Sequence, residues 1–209
     1  VLVPAMSETD IIVVGFGGAG ACAALEARAA GAEVVALDRF SGGGATAISG
    51  GVFYAGGGTA IQSEAGVTDS VEAMFAYLKA EVQGVVSDAT LRDFCETSAA
   101  NLDWLAGHGV PFEASLCPVK TSYPTYDYYL YYSGNEGFPP YRDLAKPAPR
   151  GHRAKGKGLP GESFFAPLRD AALRAGVTLR THCRVTGLIE ESGRVVGVEV
   201  AALSGVWAL

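Results

Sequence analysis

Short runs of β-branched apolar residues punctuate this chain, and they stop at a glycine or an acid. The first is Ile11-Ile-Val-Val14, an unbroken run suited to a strand buried on both faces. After Gly15–Gly20 comes Ala21-Cys-Ala-Ala-Leu-Glu-Ala-Arg-Ala-Ala30, a stretch of strong helix formers closed by Gly31. Glu33-Val-Val-Ala-Leu37 reads as a second strand and ends at Asp38. The pattern predicts a compact β-α-β unit with an acid at the tip of its second strand.

The pattern then changes. Phe40-Ser-Gly-Gly-Gly-Ala-Thr-Ala-Ile-Ser-Gly-Gly51 is a run of small residues, which predicts a loop rather than another helix. Its flanks are apolar, unlike those of a disordered glycine linker. Helices are predicted over 69–82, opened by the capping-box-like Asp69-x-x-Glu72, and over 88–106, closed by Gly107. A further helix over 163–175 ends at Gly176. Strands return at 177–179, 184–190 and 195–200, with a turn at Glu191-Ser-Gly193.

Within the first unit, Gly15-x-Gly17-x-x-Gly20 has the spacing of a dinucleotide-binding turn. The chain holds 28 glycines among 209 residues, so chance alone supplies roughly half a match to that spacing. A second match does occur, Gly156-Lys-Gly158-Leu-Pro-Gly161. It follows the polar, non-strand-like Arg150–Lys155 and carries Pro160 inside the turn, so it reads as a flexible helix lead-in. The first match lies between a strand and a helix. There Gly15 permits the tight turn, Gly17 lets backbone approach a diphosphate, and Gly20 lets the helix sit close to the strand. The helix start offers unpaired N–H groups to the diphosphate, and the Asp38 carboxylate suits the hydroxyls of an adenosine ribose.

Composition narrows the function classes. With 49% hydrophobic and 18% charged residues, the chain can bury a sizeable core. No apolar run approaches the roughly 18 residues of a membrane span. The N-terminal VLVPAMSETD lacks the features of a secretory signal, and Val1–Ala5 read as an upstream extension before Met6. A net charge of −6 argues against a nucleic-acid surface. Cys22, Cys95, Cys117 and Cys183, with His108, His152 and His182, show no metal-ligand spacing. Reduced, packed thiols in a cytoplasmic protein are expected, with no metal.

Seven of the nine tyrosines lie between Tyr123 and Tyr141. They suit either the wall of a cleft for a flat apolar ligand or a cap held by ring packing. The basic run Arg142, Lys146, Arg150, Arg153, Lys155 and Lys157 reads as a solvated loop surface.

The strand-GxGxxG-helix-strand-acid arrangement resembles the FAD-binding fingerprint of two-dinucleotide-binding-domain flavoproteins. Val14-Gly-Phe-Gly-Gly-Ala-Gly20, Leu37-Asp-Arg-Phe40, Gly42-Gly-Gly-Ala-Thr-Ala-Ile-Ser-Gly-Gly51 and Tyr54-Ala-Gly-Gly-Gly-Thr59 resemble the fumarate reductase/succinate dehydrogenase flavoprotein superfamily. Together with Phe94-Cys-Glu-Thr-Ser98 and Trp104–Phe112, they are most similar to 3-ketosteroid dehydrogenases of the Δ4-(5α) type. The glycine-rich loop after Asp38 favours FAD over NAD, which would call for a third β-α unit there.

The resemblance implies an α/β fold: a Rossmann-like FAD-binding domain, β-α-β plus β-meander, with an inserted helical, tyrosine-rich cap segment. The FAD-binding domain would occupy 1–60 and 159–209, and the cap or substrate segment 61–158. It also implies a cofactor set of Gly15, Gly17, Gly18, Ala19, Gly20, Asp38, Arg39, Gly42, Gly43, Ala45, Thr46, Ser49, Gly50, Gly51 and Val185. Thr46 and Ser49 would donate through their hydroxyls, and Val185 would offer backbone groups to the adenine. A steroid-like substrate would lose hydrogens from adjacent carbons beside a ketone. Relatives continue well past Leu209, so the chain reads as a truncated N-terminal part, with its catalytic residues not assignable. A truncated FAD-binding module without turnover is the alternative.

Overall fold

The computed structural model describes residues 8–202 and 205–208; the extension Val1–Ala5 and the start at Met6 lie outside them. The first elements are β1 (Ile11–Val14), α1 (Gly18–Ala29), β2 (Val34–Leu37), α2 (Gly44–Ala47), β3 (Val52–Tyr54) and α3 (Ala60–Glu64). Then come α4 (Val71–Val82), α5 (Asp88–Gly107), β4 (Leu130–Tyr131), α6 (Tyr141–Leu144), β5 (Gly151–Arg153) and α7 (Gly161–Arg174). The last are β6 (Thr178–Arg180), β7 (Cys183–Glu191), β8 (Arg194–Ala202) and β9 (Gly205–Ala208). They form two compact units, one with residues up to Ile48 and from Phe165 on, the other with Ser49–Phe164.

In the first unit, β1, β2 and β6 make a parallel sheet in the order β1-β2-β6. All four residues of β2 are buried, as an unbroken apolar strand at the centre of a parallel sheet must be. Ile11 pairs with Val34 through to Val14 with Leu37, so β1 and β2 end level. Helix α1 buries Ala21, Ala24 and Leu25, and the two alanines are small enough to let it lie close. It starts at Gly18, three residues ahead of the expected Ala21, because extended Gly17 is its N-cap. The loop after Asp38 also holds a one-turn helix, α2, where no helix was expected.

Strands β7, β8 and β9 form an antiparallel meander. Its first turn places Ser192 and Gly193 at φ 51° and 78°, the left-handed pair that matches the strand twist of a two-residue hairpin. Val35, Leu37, Cys183, Val198 and Val200 form one buried cluster with Ile12 and Val185 against it. Each such aliphatic side chain contributes about 1.5–3 kcal/mol on burial. The meander is thus fixed beside the end of β2. Strand β9 pairs with β8 from Glu199↔Ala208 to Ala202↔Gly205, in a segment where the sequence carried no strand expectation.

The second unit is built on the antiparallel sheet β3-β5-β4. The division at 48/49 and 164/165 differs from the expected 60/61 and 158/159, because β3 pairs with β5. The expectation of a non-strand stretch over 150–155, with Arg150 and Arg153 solvated, fails on both counts. Gly151-His-Arg153 is β5, and Arg150 and Arg153 are 0% exposed. Arg150 donates from Nη2 and Nε to the Asp69 carboxylate at 2.7 and 2.9 Å. Asp69 is therefore an ion-pair partner rather than a helix cap. Helix α4 starts at Val71, with Ser70 Oγ accepting from Ala73 N–H. Burial raises the Asp69 pKa, but the bonds and charge of Arg150, with Gly57 N–H and Gln62, outweigh it and hold the carboxyl below its usual range. Arg142 and Lys155 do remain exposed.

Arg153 gathers three of the seven clustered tyrosines. Its guanidinium carbon lies 4.7, 5.0 and 5.8 Å from the ring centroids of Tyr123, Tyr129 and Tyr126, and Nη1 donates to Pro124 O. A desolvated cation over aromatic faces is stabilising; Tyr129 is buried, while Tyr123 and Tyr126 keep exposed faces. His152 is fully buried beside Arg153. Its Nδ1 faces the carbonyl of Arg150 at 3.1 Å, so that nitrogen carries the proton. Its Nε2 then accepts from Thr59 Oγ1 at 2.9 Å. Burial pushes its pKa down to about 4.

No helix of the described residues is long and apolar enough to cross a membrane. No group of three or more metal-ligating side chains occurs among them.

Candidate cofactor site

The ends of β1 and β2 open onto a cleft of about 720 Å³ in the first unit. Its position follows from the parallel pairing, since chain turns away from both strand ends at the same level. Gly15 leaves β1 at φ 94° while its N–H still donates to Leu37 O at 2.7 Å. The close approach falls at Gly20, where a Cβ would stand 1.9 Å from Gly15 O. Only glycine lets the first turn of α1 pass this close to the β1 end.

The loop after β2 is stitched to this turn. Gly43 N–H donates to Phe16 O at 2.7 Å, Gly17 and Gly43 form a parallel bridge, and Gly18 N–H donates to Thr46 Oγ1 at 3.1 Å. Gly42, Gly43 and Gly44 have φ 88°, 87° and 52°, a left-handed run that side chains rarely adopt. Phe16, the residue between the first two motif glycines, is fully buried against Phe165, with ring centroids 5.9 Å apart. At the tip of β2, the Asp38 carboxylate accepts from Phe16 N–H at 2.8 Å and from Phe40 N–H at 2.7 Å.

Of the expected cofactor residues, Gly15, Asp38, Arg39, Gly42, Ala45 and Val185 line this cleft. Gly17, Gly18, Ala19, Gly20, Gly43 and Thr46 form the turn, helix start and loop that shape it. Thr46 Oγ1 accepts the helix's first N–H, a bond through the oxygen that is compatible with the expected role of its hydroxyl as a donor. Ser49, Gly50 and Gly51 belong to the second unit. There Gly51 N–H donates to Ser49 Oγ, and a Cβ on Gly50 would stand 2.8 Å from the Tyr123 ring. The sequence reading missed Phe40, Ser41, Gly44, Ile48 and Arg184, which also line the cleft. Exposed Val14, Phe40 and Ile48 give it an apolar rim, a signal visible beforehand as large apolar residues flanking glycine turns.

A backbone-lined turn at the start of a 12-residue helix, an apolar rim and two arginines form a cradle for an elongated, anionic, partly aromatic ligand. The profile of the FAD binding domain family matches residues 10–206. The chain belongs to this family. Its cofactor is FAD, and the glycine cradle fits the group.

The chain is 52% identical over 200 residues to 3-oxo-5-alpha-steroid 4-dehydrogenase of Comamonas testosteroni, covering 93% of this chain and 38% of that protein. The crystal structure of 3-ketosteroid-Δ4-(5α)-dehydrogenase from Rhodococcus jostii RHA1, in complex with 4-androstene-3,17-dione, superposes with a TM-score of 0.92 at 38% identity. That match covers 96% of this chain and 43% of the other. A flavocytochrome c3 fumarate reductase in an open conformation matches with a TM-score of 0.77 at 28% identity, over 96% of this chain and 31% of its own. The chain thus spans less than half the length of each of these relatives.

Proposed function

We propose that this chain holds the adenosine diphosphate half of FAD for an oxidoreductase that dehydrogenates a carbon–carbon bond beside the ketone of a 3-ketosteroid-like substrate. The observation that carries the cofactor half is the cleft at the level ends of β1 and β2, walled by Gly15, Asp38, Gly42 and Gly44. Gly15–Gly20 and the α1 start would face the diphosphate, Gly42–Ala45 would run along it, and Arg39 and Val185 would flank the adenosine. When bound, FAD supplies a two-electron acceptor for hydride. The residues of this chain bind and orient it, and none is assigned as the catalytic base. The substrate half is supported by the 52% identity to the steroid 4-dehydrogenase. A cytoplasmic setting belongs to this reading and agrees with four free thiols.

For the 209 residues alone, the 38% share of that relative favours an FAD-binding module without turnover. The test loads the purified protein with FAD and adds 4-androstene-3,17-dione or fumarate. A flavin spectrum perturbed by the steroid alone supports the substrate reading, and reduction of an artificial acceptor that depends on an added 3-ketosteroid saturated at C4–C5, which can give up the two hydrogens, excludes the module reading. A spectrum perturbed by fumarate and not by steroid overturns the steroid assignment.

A further inference from the structure

We propose that the guanidinium of Arg153 is the floor of a binding site for a small carboxylate, gated by the tyrosines around it. The site lies wholly within the second unit and does not depend on the reading of the cofactor cleft. Strand β5 sits between β3 and β4, and this fixes the backbone that carries the side chain. Arg153 pairs with Val52, and its N–H donates to Tyr129 O at 2.8 Å. The residue is 0% exposed. Nη1 donates to Pro124 O at 2.7 Å, whereas Nε and Nη2 are buried without a partner.

Those two nitrogens form one edge of the planar guanidinium, the edge that grips both oxygens of a carboxylate at once. The protein uses this same edge at Arg150, whose Nε and Nη2 donate to the two oxygens of Asp69 at 2.9 and 2.7 Å. Arg153 has the same burial and the same edge, but the acids of the adjoining segments are engaged elsewhere. Glu113 pairs with Lys155, and Asp127 accepts from Thr125 Oγ1 at 3.2 Å. A buried cation without a counter-charge is costly, and aromatic faces offset that cost only in part. A carboxylate seated on the unpartnered edge supplies both the charge and the two acceptors.

The rings set the size of the ligand. Tyr129 is buried, and the Tyr123 hydroxyl sits 3.2 and 3.1 Å from Gly50 O and Gly158 O, so these two walls are held. Tyr126 is 53% exposed, with its ring centroid 5.8 Å from the guanidinium carbon. It is the wall that a rotamer change can swing outward. Movement of one side chain admits formate or acetate, not a peptide or a steroid. A halide, being a single sphere, meets the two parallel N–H groups less well than a pair of oxygens does.

The test follows the arginine Nε–H resonances of the isotope-labelled 209-residue protein while sodium formate replaces sodium chloride at constant ionic strength. The Arg153 signal should shift and saturate. The Arg150 signal, whose edge already holds Asp69, should stay in place. By calorimetry, formate affinity should fall about tenfold or more in Arg153→Lys, which keeps the charge and loses the fork. An Arg153 signal that formate does not move overturns the proposal, and so does one that moves as far when bromide replaces chloride. A signal that responds to Asp127→Asn and not to formate overturns it too, because the chain then supplies its own carboxylate. An Arg153→Lys variant that binds formate like the parent has the same consequence. Where that variant fails to fold, the resonances of the unsubstituted protein decide.

Discussion

Replacing Gly20 with alanine adds one methyl group where the helix start crosses the glycine turn. The new Cβ would stand 1.9 Å from Gly15 O, 3.0 Å from Gly15 C and 3.4 Å from Val13 Cγ1. Two of these are backbone atoms, and Gly15 is tied to Leu37 by its own N–H bond, so no rotamer change relieves the clash. A carbon–oxygen contact becomes tolerable only beyond about 3 Å, so turn and helix must part by roughly 1 Å, against close packing. Forced separation of this kind costs about 3 kcal/mol. For a chain of this size that lowers Tm by about 6–12 °C. Gly17→Ala is the control, because its Cβ meets nothing nearer than Gly43 O at 3.5 Å, an ordinary contact, and it should cost less than about 1 kcal/mol. Urea unfolding followed by far-UV circular dichroism, without nucleotide, measures both. Equal midpoints for the two variants would refute the close-approach argument.

The other predictions concern the second unit and the rival glycine motif. His152, with a folded pKa of about 4, stays neutral while the unfolded chain protonates near 6.5; the stability it contributes is present above pH 6.5 and lost as pH falls toward 4. The full loss is about 3 kcal/mol, and a His152→Gln variant with the same pH slope of urea midpoint between 7 and 5 would contradict it. Asp69→Asn leaves the Arg150 charge buried and should cost about 3–5 kcal/mol, whereas Asp69→Leu with Arg150→Met together should cost less than the sum of the single changes. Strict additivity in that cycle would show that the pair is not coupled. Gly17→Val should abolish FAD binding, because branched carbons there press into Gly43 and Gly44, 3.5–3.9 Å away. Gly158→Val should leave binding nearly intact, and equal losses at both positions would show that the wrong motif was chosen.

The nucleotide half of the fold was legible because its signals are local. Ile11–Val14, Val34–Leu37 and Asp38 announce two parallel strands and an acid without reference to distant residues, although only β2 is buried throughout and β1, expected buried on both faces, leaves Ile11 and Val14 exposed. The hairpin at Ser192-Gly193 is equally local. The second unit was not legible for the opposite reason. Gly151-His-Arg153 reads as a polar loop until Asp69 and Thr59 are brought to it from 81 and 93 residues away, making burial of these polar groups tolerable. Arg150 and Arg153 looked like surface cations because the sequence does not show an ion-pair partner or a ring of tyrosines. In the cleft itself, glycine spacing identified the turn, while the inward use of Asp38 and Thr46 depends on backbone N–H groups that every sequence carries silently.

The proposed role of the first unit is to hold the adenosine diphosphate half of FAD. A competition titration tests it most directly, with FAD, ADP and FMN each added to the purified protein and binding followed by calorimetry and flavin fluorescence. One molecule of FAD should bind per chain and ADP should displace it, while FMN, which lacks the adenosine diphosphate half, should neither bind comparably nor compete. FMN binding as tightly as FAD, with ADP unable to displace either flavin, would contradict the account.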